Sequence, residues 1–151
     1  MRSGPDAFAA ETKGIRAYGI DSSSQAAHRA QSRGAAVFHQ SIFATVPGEG
    51  GYDSLLLLDG NIGIGGNPAN LLQRLFEVAA PGATLFVETD PVMNNVAQYQ
   101  AVLIDSAGRS SEVFDWARLG ADALHRLGAE IGWHLVRCIE QGGRKISVLS
   151  R

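Results

Sequence analysis

Cysteine is almost absent from this 151-residue chain: Cys138 stands alone, so no internal disulfide can form. A reducing cytoplasm is the expected setting. The N-terminal run MRSGPDAFAAETKG lacks the apolar core of a secretion signal. No apolar stretch approaches the roughly 18 residues that span a bilayer, so no membrane association is expected. Basic clusters are also missing. Thirteen Lys and Arg against 15 Asp and Glu leave a net charge of −2, which argues against a nucleic-acid surface. The four histidines, His28, His39, His125 and His134, are scattered without metal-ligand spacing, so no metal is expected. No Ser-His-Asp spacing is visible, and IDSSSQ lacks the flanking glycines of a nucleophile elbow.

What is present suits one globular domain over residues 1–151. The hydrophobic share of 45% can fill a core of that size. Eighteen glycines stand mostly at segment ends, which suggests short elements joined by tight turns.

The pattern predicts a helix over residues 6–13, then a strand over Ile15–Ile20 ending at Asp21. Ser22 stands as a cap with Gln25 three residues on, and that helix runs to about Arg33. Ala35–Phe38 is a short strand. Tyr52–Leu58 is another, and its four consecutive leucines fit a strand covered on both faces, as in a parallel sheet. It runs into the glycine-rich DGNIGIGG, the foremost candidate for a ligand-facing loop. Asn67 and Pro68 start a helix, cap then first-turn proline, which Pro81-Gly82 ends. Thr84–Thr89 is a further buried strand. Tyr99–Ile104 and Glu112–Phe114 are read as strands around a SAGRS turn, and a helix is expected from about Trp116 to Ala129. Trp133–Ile139 and Lys145–Leu149 form a closing antiparallel hairpin. Alternating strands and helices indicate an α/β, Rossmann-like, mostly parallel sheet with helices on both faces.

In open α/β sheets, ligands sit beyond the carboxyl ends of the strands. Four such ends carry distinctive groups: Asp21, Gln40 to Phe43, Asp59 to Asn61, and Glu88 to Asp90. Asp21, closing a strand before a helix, is placed to accept both hydroxyls of a ribose, or else simply opens the helix turn. Asp59 either binds a ligand's amino group or braces the glycine loop. Asn61 orients a ligand or occupies a left-handed turn. Gly60, Gly63, Gly65 and Gly66 allow close approach of a ligand or a sharp bend. The loop is neither GxGxxG opening a helix nor a P-loop.

These residues resemble a family. GIDSSSQAAHRAQSRGA is similar to the second strand and following helix of class I S-adenosylmethionine (SAM)-dependent methyltransferases. YDSLLLLDGNIGIGGNPANLLQRLFEVAAPGATLFVETDP resembles that family's fourth strand, helix and fifth strand. FDWARLGADALHRLGAEIGWHLVRCIEQGGRKISVL resembles its last helix and terminal hairpin. The resemblance implies SAM as cofactor. It implies that Asp21 holds the ribose, that Ser22 lies beside the adenine, and that Ser41, Ile42 and Phe43 contact the adenine. Asp59, Gly60 and Asn61 then lie near the methionine part and the transferred methyl. Met93 to Trp116 falls on the side of a small-molecule acceptor. The family's first strand and glycine-rich loop have no counterpart before Gly14, which implies weakened cofactor binding. The alternative reading is a non-catalytic remnant that dimerises through unpaired strand edges. A nicotinamide-dependent enzyme ranks last, because the glycine turn it requires before Asp21 is equally missing.

Overall fold

The computed structural model describes residues 14–151. The helix expected over residues 6–13 lies outside them. The chain forms two compact units, one running to Pro47 and the other comprising Gly48–Arg151.

The first unit is a strand-helix-strand: β1 (Gly19–Asp21), α1 (Ser24–Gln31) and β2 (Val37–His39). The strands pair in parallel, with Asp21 opposite His39. Ala27 and Ala30 are the buried face of α1. These small side chains let the helix lie close to its strands. The helix cap is Ser23, not Ser22: its side chain accepts from the Ala26 N–H. Ala26 therefore holds the third helical position, and Gln25 forms no capping box.

The second unit contains β3 (Tyr52–Leu57), α2 (Pro68–Val78), β4 (Ala79–Thr89), β5 (Val96–Ala101), β6 (Phe114–Leu119), α3 (Ala121–Ile131), β7 (His134–Gln141) and β8 (Arg144–Ser150). Its four-stranded sheet has the order β3-β4-β8-β7. Only β3 and β4 run parallel; β8 is antiparallel to both β4 and β7. The sheet is thus mixed rather than mostly parallel. The helices α2 and α3 contact each other, so in this unit they share one face of the sheet instead of covering both.

The helices start and pack as their sequences direct. Asn67 caps α2 by accepting from the Asn70 N–H, and Pro68 fills the first turn. Leu71, Leu72, Leu75 and Val78 recur at helical spacing and are buried. Each such side chain contributes roughly 1.5–3 kcal/mol by leaving water. They face the layer of Leu85 and Val87, both fully buried on β4. Trp133 completes this core, donating from Nε1 to the Leu72 carbonyl at 3.1 Å.

Two expectations fail here for identifiable reasons. The leucine run is not covered on both faces: Leu57 is buried, but Leu56 is 54% exposed. Successive side chains of β3 point to opposite faces of the sheet, and the face that Leu57 shares is buried while Leu56 on the other face meets water. Trp116 and Leu119 do not begin a helix. They belong to β6, which pairs antiparallel with β5 from Phe114 opposite Ala101 to Leu119 opposite Val96. The helix begins only after Gly120, where a Cβ would lie 2.0 Å from the Met93 carbonyl oxygen.

Candidate functional site

In the first unit, the groups at the strand ends are held by their own neighbours. Asp21 is buried, and its Oδ1 accepts the Ser23 N–H at 2.8 Å. This carboxylate therefore opens the helix turn. No hydrogen bond is recorded to its other oxygen within the described residues. Ser22 is exposed, and its carbonyl lies 3.3 Å from His39 Nε2. After β2, Ser41 Oγ accepts the Phe43 N–H at 3.2 Å, closing a tight turn. Phe43 is 45% exposed, and Ile42 is half-buried. The Gln40 side chain ties the same turn to the Thr45 carbonyl at 3.0 Å.

In the second unit, Asp59, Gly60 and Asn61 stand together where β3 ends. Asp59 has φ +54, and Gly60 follows with φ +78. Two consecutive left-handed residues turn the chain sharply off the strand. Such a backbone is costly for a side chain bearing a Cβ and persists only where neighbours enforce it. Here the enforcing neighbour is Glu88, whose Oε2 accepts the Asp59 N–H at 2.8 Å. Asp59 thus does not brace the loop through its carboxylate. Glu88 braces the backbone, and the Asp59 carboxylate turns elsewhere, with Oδ1 3.1 Å from Arg144 Nη2.

Arg144 also engages Glu88 twice, Nε to Oε1 at 2.9 Å and Nη2 to Oε2 at 2.5 Å. This forked grip, with the Asp59 N–H bond, holds the Glu88 carboxyl below the usual carboxylate range, the Arg144 hydrogen bond being the largest cause. Sequence reading named Glu88 only as one of several strand-end groups and missed Arg144 entirely. Its signal was present: it follows the Gly142-Gly143 turn, so the hairpin carries it back to the strand ends.

Of the remaining glycines in the loop, Gly63 and Gly66 serve packing, and Gly65 takes a left-handed turn with φ +78. Residues Asn61–Gly66 form two 3₁₀ turns broken at Ile64 and Gly65. Gly63 and Gly66 are buried against β6, and Gln98 Nε2 donates to the Gly66 carbonyl at 2.6 Å. Only Gly60, which has no atom within 4 Å of an added Cβ, is both left-handed and open at the strand end. On the far side of β4, Asp90 Oδ1 accepts the Val92 and Met93 N–H groups, each at 3.0 Å, and Oδ2 pairs with Arg118. Those backbone bonds are the chief reason its carboxyl is held low.

Among the described residues, no cluster of His, Cys, Asp and Glu is arranged to hold a metal. Nor is any helix among them long and apolar enough to cross a membrane.

By sequence alone, no family model and no curated protein matches the chain. Solved structures do match. A SAM-dependent methyltransferase from Bacteroides fragilis, in complex with S-adenosyl-L-homocysteine (SAH), superposes with a TM-score of 0.73 at 16% identity, over 95% of this chain and 66% of its own. The 1,6-didemethyltoxoflavin-N1-methyltransferase of Burkholderia thailandensis gives 0.67 at 14% identity, over 98% and 66%. A SAM-dependent methyltransferase from Methanosarcina mazei gives 0.69 at 13%, over 95% and 85%. The chain spans about two thirds of the length of the first two. These likenesses show the fold, which is the α/β fold of the class I SAM-dependent methyltransferases, built here on mixed sheets.

Proposed function

We propose that this chain is a methyltransferase-like protein that binds SAM and serves methyl transfer to a small-molecule acceptor. The observation that carries the reading is the sharp Asp59-Gly60 turn at the carboxyl end of β3, fixed by Glu88, in a fold whose solved examples include proteins crystallised with SAM or SAH. Asp21, Ser22, Ser41, Ile42 and Phe43 are the proposed ribose and adenine contacts. The unshared oxygen of Asp21 suits a ribose hydroxyl. Asp59, Gly60 and Asn61 are proposed for the methionine end. Methyl transfer from a sulfonium needs an aligned nucleophile above all, so no dedicated base is required.

The acceptor side is proposed to include residues 93–116, where β5 and β6 form a ribbon bearing exposed Tyr99, Val102 and Leu103. Two neighbours are N-methyltransferases by name, one acting on 1,6-didemethyltoxoflavin and one on a glycopeptide. Their divergence leaves the acceptor of this chain to be found by assay. A cytoplasmic location fits the lone cysteine.

Within the single methyltransferase-like domain that we infer, the terminal antiparallel pair β7–β8 takes the place of the family's closing hairpin. Among the described residues β1 pairs with β2 and β3 with β4. We infer that the family's first strand is missing, and the strand edges this would leave open favour a second reading, a non-catalytic module that dimerises by strand pairing. Isothermal titration with SAM and SAH tests the first reading. Micromolar to low-millimolar affinity is expected, and no heat at millimolar ligand from folded protein rejects it. Sedimentation across a concentration series tests the second, which a strict monomer rejects.

A further inference from the structure

Arg144 reaches the end of β4 because the β4–β8 register sets Thr89 opposite Lys145 at the start of β8. There one guanidinium nitrogen, Nη2, serves two carboxylates, Glu88 Oε2 and Asp59 Oδ1. Glu88 uses both oxygens on Arg144 and one of them again on the Asp59 N–H. Asp59 is different. Its side chain is 56% exposed, and within the described residues no hydrogen bond is recorded to Oδ2.

We propose that Arg144 is a positioning residue for Asp59: braced on Glu88, it grips one Asp59 oxygen and leaves the other to accept an N–H or O–H of a bound molecule. The inference rests on reading Asp59–Asn61 as ligand-facing. Two carboxylates at one corner repel each other, and a shared cation removes that repulsion and fixes their geometry. An arginine can do this where a lysine cannot, because its planar fork meets Glu88 with two donors and still spares one for Asp59. Among the described residues, Asp59 after β3, Glu88 on β4 and Arg144 on β8 are charged groups that meet here. The adjacent Lys145 is paired with Glu140 at 3.4 Å.

The test compares wild type with Arg144→Gln, Arg144→Lys, Asp59→Asn and the double variant Arg144→Gln/Asp59→Asn, using Arg126→Gln as control. Arg126 is exposed on α3, outside the proposed site. Urea midpoints are first compared without ligand. The losses of Arg144→Gln and Asp59→Asn are expected to be non-additive in the double variant, whereas those of Arg126→Gln and Asp59→Asn add. Additive losses for Arg144→Gln and Asp59→Asn overturn the proposal.

SAH binding supplies the second readout. Affinity is expected to fall roughly tenfold in Arg144→Gln, the scale of one charge-assisted hydrogen bond. Partial recovery is expected in Arg144→Lys, and Arg144→Gln should cost little further affinity in the Asp59→Asn background. A loss of equal size with and without the Asp59 carboxylate indicates a merely structural role and also overturns it. If wild type takes up no SAH at all, the methyltransferase reading fails and the ligand-facing half of this proposal fails with it. The ligand-free comparison of the double variant separately decides whether Arg144 holds Asp59.

Discussion

Gly63 lies hard against Trp116: a Cβ added there would sit 2.6 Å from the indole Nε1 and 2.1 Å from the Ala117 carbonyl oxygen. The second of those neighbours is backbone, so β6 itself must move to admit a methyl group. Gly63→Ala is therefore expected to destabilise the protein by about 1–3 kcal/mol, the usual range for overpacking, or more. Gly60→Ala meets open space but retains a left-handed backbone, at a cost of about 1–2 kcal/mol. Urea denaturation of both variants checks the order. Trp116 emission should shift in Gly63→Ala and not in Gly60→Ala.

The two faces of the sheet separate Leu56 from Leu85, although both sit in apolar runs: Leu85 stands opposite Leu55, so Leu56 points to the other face. Leu85 is fully buried on β4, whereas Leu56 is 54% exposed. Leu85→Ala is expected to cost about 2–5 kcal/mol, and Leu56→Lys to stay within about 0.5 kcal/mol of wild type. Chemical denaturation reads both. A large loss for Leu56→Lys is the outcome that contradicts an open face at Leu56.

Much of the second unit was legible because local signals agreed there. Asn67-Pro68 opens α2, its leucines recur at helical spacing, and Gln141-Gly-Gly turns β7 into β8. The errors arose where a residue pattern has two structural solutions. FDWARL and the following alanines share an apolar spacing that suits a helix, and only pairing with β5 makes Phe114–Leu119 a strand. Four leucines in a row read as doubly covered, but coverage depends on what packs on each face of β3, and that is a tertiary fact. At the candidate site, Asp59 and Glu88 were visible as strand-end acids. Arg144 was not, because its role depends on a hairpin register that joins residues 85 and 56 positions apart.

Trp133 spends its indole N–H on the Leu72 carbonyl inside the core and meets Phe76 edge-on at 5.4 Å. Trp133→Phe keeps much of the apolar volume but removes the indole's bond to the Leu72 carbonyl and leaves a gap. A loss of about 1–3 kcal/mol is expected, combining the lost hydrogen bond with the cavity. Trp116→Phe should cost less, since Trp116 is only half-buried. Urea unfolding followed by far-ultraviolet circular dichroism gives the comparison without relying on tryptophan emission.

His125 supplies the clearest pH dependence. It projects from α3 onto Ser147 of β8, with Nε2 2.9 Å from the fully buried Ser147 Oγ. Burial pushes its pKa below the ordinary 6.5, with Lys145 adding to that push and Asp122 opposing it. The folded protein therefore resists a proton that the unfolded chain accepts near 6.5. This contribution to stability is complete above that pH and is lost as the pH falls through it toward the lower folded value. Glu88 acts in a separate window. Its carboxyl is held down chiefly by Arg144, so its contribution persists above about 4.5 and fades only below that. Urea midpoints measured from pH 8 to about pH 3 should thus decline below 6.5 in wild type. In His125→Gln, which keeps a hydrogen-bonding group beside Ser147, that decline should flatten while the drop below 4.5 remains. An identical decline in both proteins assigns the neutral-range titration to a group other than His125.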